Sequence, residues 1–263
     1  MPATEALSVT IDRRGACTLM LQRPERHNAL DAALISALLS QLQALERDPT
    51  VRVVILTGSG EAFCSGGDLD WFTALASAEP GSHDDEIKTI APLLQTLHGL
   101  SKPSIARIQG PAYGGGVGLI ACCDLAIASD SARFALPELR LGLLPTMIAP
   151  YILQAIGARE TRRLAISAEA FDAGEALRIG LLHQVVKPSE LDRALDIQIE
   201  RVLKSAPTAI AELKRLTANY SPLPHGDFDT VEAFLARLRG SPEAREGIAA
   251  FVEKRKPSWQ DIP

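Results

Sequence analysis

A chain of 263 residues is long enough for one large α/β domain, or for a core carrying a smaller appendage. Hydrophobic residues at 46% and charged residues at 22% supply a globular core and exclude fibrous and low-complexity classes. A net charge of -5 argues against nucleic acid as the partner, because phosphate binding needs concentrated Lys and Arg.

The first residues, Met1 to Ala6, show no basic stretch followed by an apolar one, so no secretory signal is expected. No uncharged apolar run is long enough to span a bilayer, which leaves no membrane role to expect. Cys17, Cys64, Cys122 and Cys123 are scattered without metal-ligand spacing. They read as buried free thiols of a cytoplasmic protein, and no metal site is expected.

Leu7 to Asp12 and Ala16 to Leu21 are β-prone on either side of Arg13-Arg14-Gly15, a hairpin signature. Asn28-Ala-Leu-Asp31 opens a helix with Leu34, Leu38, Leu42 and Leu45 on one face. Val51 to Leu56 is a continuous apolar run suited to a strand buried on both faces of a parallel sheet. After the glycine-rich loop that follows, Asp68 is placed to cap a helix from Leu69 to Leu75. Ala78 to Asp85 reads as an exposed loop, and the next helix runs to about Leu100. Ser104 to Ile108 is a strand ending in a second glycine-rich turn, Gly110 to Gly118. A buried helix over Leu119 to Cys123, a strand over Leu125 to Ala128 and Phe134-Ala135 follow.

Strand, glycine-rich turn, helix thus occurs twice, which implies parallel crossovers rather than an antiparallel sandwich. Beyond Tyr151 the pattern is nearly all helical, with a capping box at Ser189-Glu-Leu-Asp192. Apolar stripes follow at Leu191, Leu195, Ile199 and Val202, at Ile210, Leu213 and Leu216, and at Val231, Phe234, Leu235 and Leu238. The organisation expected is an α/β core over 1–195 and a helical appendage over 196–263 whose exposed stripes suit packing against another subunit.

Both glycine-rich turns sit where a strand ends and a helix begins, a place that presents free N–H groups and the positive end of a helix dipole. Ser65-Gly66-Gly67-Asp68 and Gly114-Gly115-Gly116 could each aim one N–H at a single oxygen, the arrangement of an oxyanion hole. Taken singly, either is more often a tight turn. Neither has dinucleotide or P-loop spacing. Glu138, after Pro137 at a strand-to-helix turn, is either an acid/base residue or a dipole-complementing one. His27, His83, His98, His183 and His225 share no motif, and no Ser-His-Asp arrangement can be assembled.

Several ordered segments resemble the crotonase (enoyl-CoA hydratase/isomerase) superfamily. They are Arg23 to Leu30, Gly60 to Asp68, Lys102 to Ala106 leading into Gly110 to Gly116, Cys123 to Ala128, Phe134 to Pro145, Ala173 to Leu181 and Glu253 to Pro257. The resemblance implies an α/β fold built as a spiral of ββα units with a C-terminal helical trimerisation region. It implies an acyl-CoA substrate, with coenzyme A part of that substrate and no separate cofactor. The Gly67 and Gly115 N–H groups would form the oxyanion hole, and Glu138 would be the catalytic glutamate. The adenosine-phosphate end would lie near Arg26 and near Ser65, Asp68 and Leu69. Phe251 and Lys254 resemble residues that reach the coenzyme A of a neighbouring subunit in a trimer or a hexamer, although Lys254 also suits a helix C-terminus. Trp71 would line the acyl pocket or serve the core.

The chain departs from the family pattern at Gly118, where hydratases of this family usually place a second glutamate. One-glutamate members include Δ3,Δ2-enoyl-CoA isomerases and bacterial hydratases resembling methylglutaconyl-CoA and carboxygeranoyl-CoA hydratases of leucine and acyclic terpene breakdown. Gly118 to Asp124 and Leu143 to Tyr151 look closest to the latter. Water addition to a 2-enoyl-CoA is therefore expected, with isomerisation as the second reading. A non-catalytic acyl-CoA binder or RNA-associated scaffold is the third, and the acidic charge and Glu138 weigh against it.

Overall fold

The computed structural model describes residues 6–68, 70, 84–219 and 241–260. Strands β1 (Leu7–Ile11) and β2 (Ala16–Leu21) form the expected antiparallel hairpin, with Leu7 opposite Leu21. Asp12 closes its turn by accepting the Arg14 and Ala16 N–H groups at 2.8 and 3.0 Å. Strand β3 (Val53–Gly58), buried at every residue, runs parallel to β2. The remaining strands are β4 (Ser104–Ile108), β5 (Ala112–Tyr113), β6 (Leu125–Ser129), β7 (Arg133–Ala135), β8 (Phe171–Asp172) and β9 (Gln184–Val186). They make a six-stranded sheet in the order β1-β2-β3-β4-β6-β9 and a three-stranded sheet in the order β5-β7-β8.

Strand alternation splits the core into two layers. Val54, Leu56, Ala106 and Ile108 face a layer filled by Leu34, Leu38 and Leu42 of the Ala32–Arg47 helix and by Leu93, Leu94 and Leu97 of the Asp84–Gly99 helix. Val53, Ile55, Ile105 and Ile127 face the opposite layer, covered by Leu191, Ile199 and Leu203 of the Leu191–Leu203 helix. The domain boundary expected at residue 195 falls inside that last helix, whose two halves both pack on the sheet. Asp31 caps the first helix as its sequence position suggests, accepting the Leu34 N–H at 2.8 Å.

Several expectations change. The region beyond Tyr151 contains β8 and β9, and β9 completes the large sheet, so short strands interrupt the helical pattern. The Ser189 capping box does not form: Pro188–Glu190 is a 3-10 turn leading straight into the helix, with no side-chain cap. Ser189 lies inside this turn rather than ahead of it, so it does not occupy the extended N-cap position. Helix rather than loop begins at Asp84, and the glycine-rich helix begins at Gly115 instead of Leu119. Apart from Asp70, the expected Leu69–Leu75 helix lies outside the described residues, as do His83, His225 and the Val231 to Leu238 stripe.

The segment between β2 and the first helix is pressed onto the loop after β3 by a buried polar clamp. Asn28, fully buried at φ 57°, donates Nδ2 to the Ser59 and Ala62 carbonyls at 2.9 and 2.8 Å and accepts the Arg23 N–H at 2.9 Å. Arg23 in turn donates to the Ala29 carbonyl at 2.7 Å and pairs with Asp31 and Asp68, each at 3.0 Å. Asn tolerates the left-handed backbone better than most residues and supplies both donor and acceptor here. Asn28→Ala leaves these partners buried without bonds and is expected to cost about 3 kcal/mol or more, read as a lower urea midpoint for unfolding. An unchanged midpoint would contradict the clamp.

Candidate active site

Two backbone loops meet at the carboxyl ends of β3 and β4. Phe63 N–H donates to the Pro111 carbonyl at 2.9 Å, and Tyr113 N–H to the Cys64 carbonyl at 2.9 Å, so residues 63–66 and 111–115 run side by side. Their approach leaves no room for side chains. A Cβ on Gly116 would lie 2.3 Å from the Cys64 carbonyl oxygen. Gly66 and Gly114 also hold φ of 92° and 48°, conformations that favour glycine.

Leu30 pins the first loop from its other side: its N–H donates to the Gly66 carbonyl at 2.7 Å, and its carbonyl accepts the Asp68 N–H at 3.0 Å. Gly67 lies between those two bonds. Gly115 opens the Gly115–Cys122 helix, where the first N–H groups have no intrahelical acceptor. Among the described residues neither the Gly67 nor the Gly115 N–H has an acceptor, and both line one cleft of about 110 Å³.

Glu138 lines the same cleft. It begins a 3-10 turn, Glu138–Leu141, that Pro137 and the left-handed Gly142 bracket. One carboxyl oxygen reaches toward the second glycine turn: a Cβ on Gly114 would sit 2.8 Å from Oε1. The other, Oε2, is buried and has no hydrogen-bond partner among the described residues. Burial raises the Glu138 carboxyl above its ordinary value, against a smaller opposing effect from a backbone N–H. The site therefore brings together the three residues expected for catalysis: two uncommitted N–H donors and a carboxyl with one uncommitted oxygen.

Apart from Thr146, the rest of the described cleft wall is apolar, with Leu30, Ile90, Met147 and Ile148 among its members. Ile148 settles what stands opposite the missing second acid. A Cβ on Gly118 would lie 2.1 Å from Ile148 Cγ2 and 2.7 Å from its Cβ. The notch left by this glycine is filled by the isoleucine, leaving room for neither a side chain nor a water.

A second cavity, about 410 Å³, shares Gly67 with the first and is lined by Arg26, Ser65, Asp68 and Leu141. Arg26 is half exposed, 3.2 Å from Asp70 and 3.7 Å from Asp68. Asp68 itself is buried: burial opposes its charge, but the Asp70 N–H and the Arg23 and Arg26 guanidiniums outweigh that and hold its carboxyl below the usual carboxylate range. Its carboxylate is thereby committed to holding Arg26 and Arg23 in place. Leu69 and Trp71 lie outside the described residues.

Phe251 and Lys254 line neither cavity. Phe251 sits at the end of the Pro242–Val252 helix with 85% of its surface exposed, and Lys254 follows at φ 55°. The thiols take no part. Burial pushes Cys64 and Cys123 up to about 12 and Cys17 up to about 11. His98 packs against Tyr151 with the rings tilted at 59°, and His183 Nδ1 accepts the Ala126 N–H at 3.0 Å. Ile148 and the clamp residues Arg23 and Asn28 carry roles that no local pattern announces, since each has a partner 30 or more residues away: Gly118, Asp68, and Ser59 with Ala62.

The chain matches the family described as "Enoyl-CoA hydratase/isomerase" over residues 12–262. It is similar to a carnitinyl-CoA dehydratase from Proteus mirabilis (34% identical, spanning 96% of this chain and 98% of that one). It is also similar to a crotonyl-CoA hydratase from Syntrophomonas wolfei (31% identical, spanning 92% and 93%). Among solved structures, an enoyl-CoA hydratase from Shewanella pealeana superimposes with a TM-score of 0.92 at 35% identity, covering 97% of this chain and 96% of that one. With the family matched across nearly its whole length and the fold shared at that level, this chain belongs to the enoyl-CoA hydratase/isomerase family.

Proposed function

We infer that this protein is an enoyl-CoA hydratase that adds water to a 2-enoyl-CoA through an enolate, and the observation that carries the reading is the convergence of the free Gly67 and Gly115 N–H groups with the unpartnered Glu138 carboxyl in one cleft. The thioester carbonyl oxygen accepts both N–H groups, which strengthen as negative charge builds on it. Ionised Glu138 takes a proton from water as the oxygen bonds to Cβ, and the same carboxyl returns that proton to Cα as the enolate collapses. Water's hydroxyl and proton are both accounted for, and Glu138 ends as it began. The coenzyme A portion follows the cavity beside Arg26 and Ser65, and it arrives as part of the substrate rather than as a separate cofactor.

The described cleft wall offers no cation, and the stretch from Leu69 to His83 contains no Lys or Arg. That supports an uncharged acyl chain over the carboxylated chains that the resemblance suggests, because a buried carboxylate without a partner is costly. Isomerisation of a 3-enoyl-CoA is the second reading. It is favoured by Ile148 filling the notch at Gly118, since one base moving one proton needs no second acid. Phe251, Ile248 and Val252 present an apolar surface that suits a trimer or a hexamer, with Lys254 near the coenzyme A of a neighbour.

Incubation with crotonyl-CoA should remove the enoyl absorbance faster than with 3-methylglutaconyl-CoA; loss with neither, alongside turnover of a 3-enoyl-CoA, would select the isomerase. Glu138→Gln should lower turnover by roughly a hundred-fold or more while coenzyme A ester binding persists. Because burial raises the Glu138 carboxyl, turnover should begin to fall, as pH is lowered, at a higher pH than for an ordinary glutamate. The same shift affects stability. A carboxyl raised in the folded state destabilises that state progressively as pH rises from its unfolded value through its folded value. Glu138→Gln is therefore expected to melt at a higher temperature than the wild type at pH 7.5, with the difference vanishing near pH 4. Light scattering should give a mass well above 28.2 kDa, and a monomer would remove the proposed Lys254 contact.

A further inference from the structure

Hydration by one glutamate leaves the attacking water with an unmet requirement. Glu138 accepts one of its protons, but the family position that would hold the water's other side is Gly118, whose notch is occupied by Ile148. Among the described residues that line the cleft, Glu138 and Thr146 alone carry polar side chains. Thr146 is exposed at the cleft, and its hydroxyl makes no hydrogen bond to any described residue, so its donor and acceptor capacity are open to a water molecule.

Its placement is determined from both ends. Pro145 precedes it, and the Pro145 carbonyl accepts the Ala149 N–H at 2.8 Å, tying this turn to the start of the Ala149–Ser167 helix. Two residues on, Ile148 is seated against Gly118 and is buried. The glycine that removes the second acid is thus also what anchors the turn carrying Thr146 at the mouth of the cleft.

We propose that Thr146 is a positioning residue for hydration, its hydroxyl holding the water that Glu138 activates. This rests on the hydratase reading above. No bond to Thr146 is made or broken; its hydroxyl accepts from, or donates to, the water and so restrains where the oxygen sits relative to Cβ.

The test compares Thr146→Val, which keeps the shape and removes the hydroxyl, with Thr146→Ser, which keeps the hydroxyl and loses the methyl. With crotonyl-CoA, Thr146→Val should lose tenfold or more in kcat with KM within about twofold, and Thr146→Ser should keep at least half of the wild-type kcat. A residue that only fills space would give the opposite order, valine active and serine impaired, and that order overturns the proposal. Equal losses in both variants, or none in Thr146→Val, also overturn it. A wild-type protein that hydrates no enoyl-CoA would overturn the hydratase reading and this assignment with it, whereas an active wild type beside an unimpaired Thr146→Val would overturn this assignment alone.

Discussion

The structure depends on two stretches of main chain lying against each other with nothing between them. Residues 63–66 and 111–115 exchange backbone hydrogen bonds near 2.9 Å, and the glycines where they touch leave no volume for a Cβ. That contact is the reason the Gly67 and Gly115 N–H groups face one cleft, since a side chain at Gly116 would have to displace the Cys64 carbonyl. Donors fixed by backbone packing need no reorganisation when charge develops, which is the physical basis of oxyanion stabilisation.

Around this contact, polar groups divide into those already satisfied and those left waiting. Asn28, Arg23 and Asp68 saturate one another and neighbouring carbonyls, and they clamp the approach segment to the first loop. Glu138 Oε2 and the two glycine N–H groups stay without partners among the described residues. Buried polar groups are usually paired, so an unpaired carboxyl beside unpaired donors is where a ligand completes the bonding. The burial that leaves Glu138 Oε2 without a partner also raises its carboxyl above the ordinary value.

The contact between Gly118 and Ile148 sets the character of one wall of the cleft. Gly118 and Ile148 are complementary in size, and the contact turns what would be a polar site into an apolar one. A glutamate introduced at position 118 alone would collide with Ile148, so the one-glutamate character of the site is held by two residues.

Much of the frame was legible from local pattern. The hairpin, the fully apolar β3, the stripe from Leu34 to Leu45 and the Asp31 cap follow from periodicity and turn chemistry that act within a few residues. The ordered motifs likewise pointed to the family and, through that resemblance, to Gly67, Gly115 and Glu138, each carried by a short motif that its own neighbours define. Short strands such as β9 were hidden, since three residues carry almost no periodicity and gain their ladder only from β6. The Asn28 clamp, the commitment of Asp68 to two arginines and the filling of the Gly118 notch by Ile148 were decided by the tertiary structure alone. These are contacts between segments tens of residues apart, and whether a glycine marks an open space or an occupied one depends on the side chain that folding brings to it.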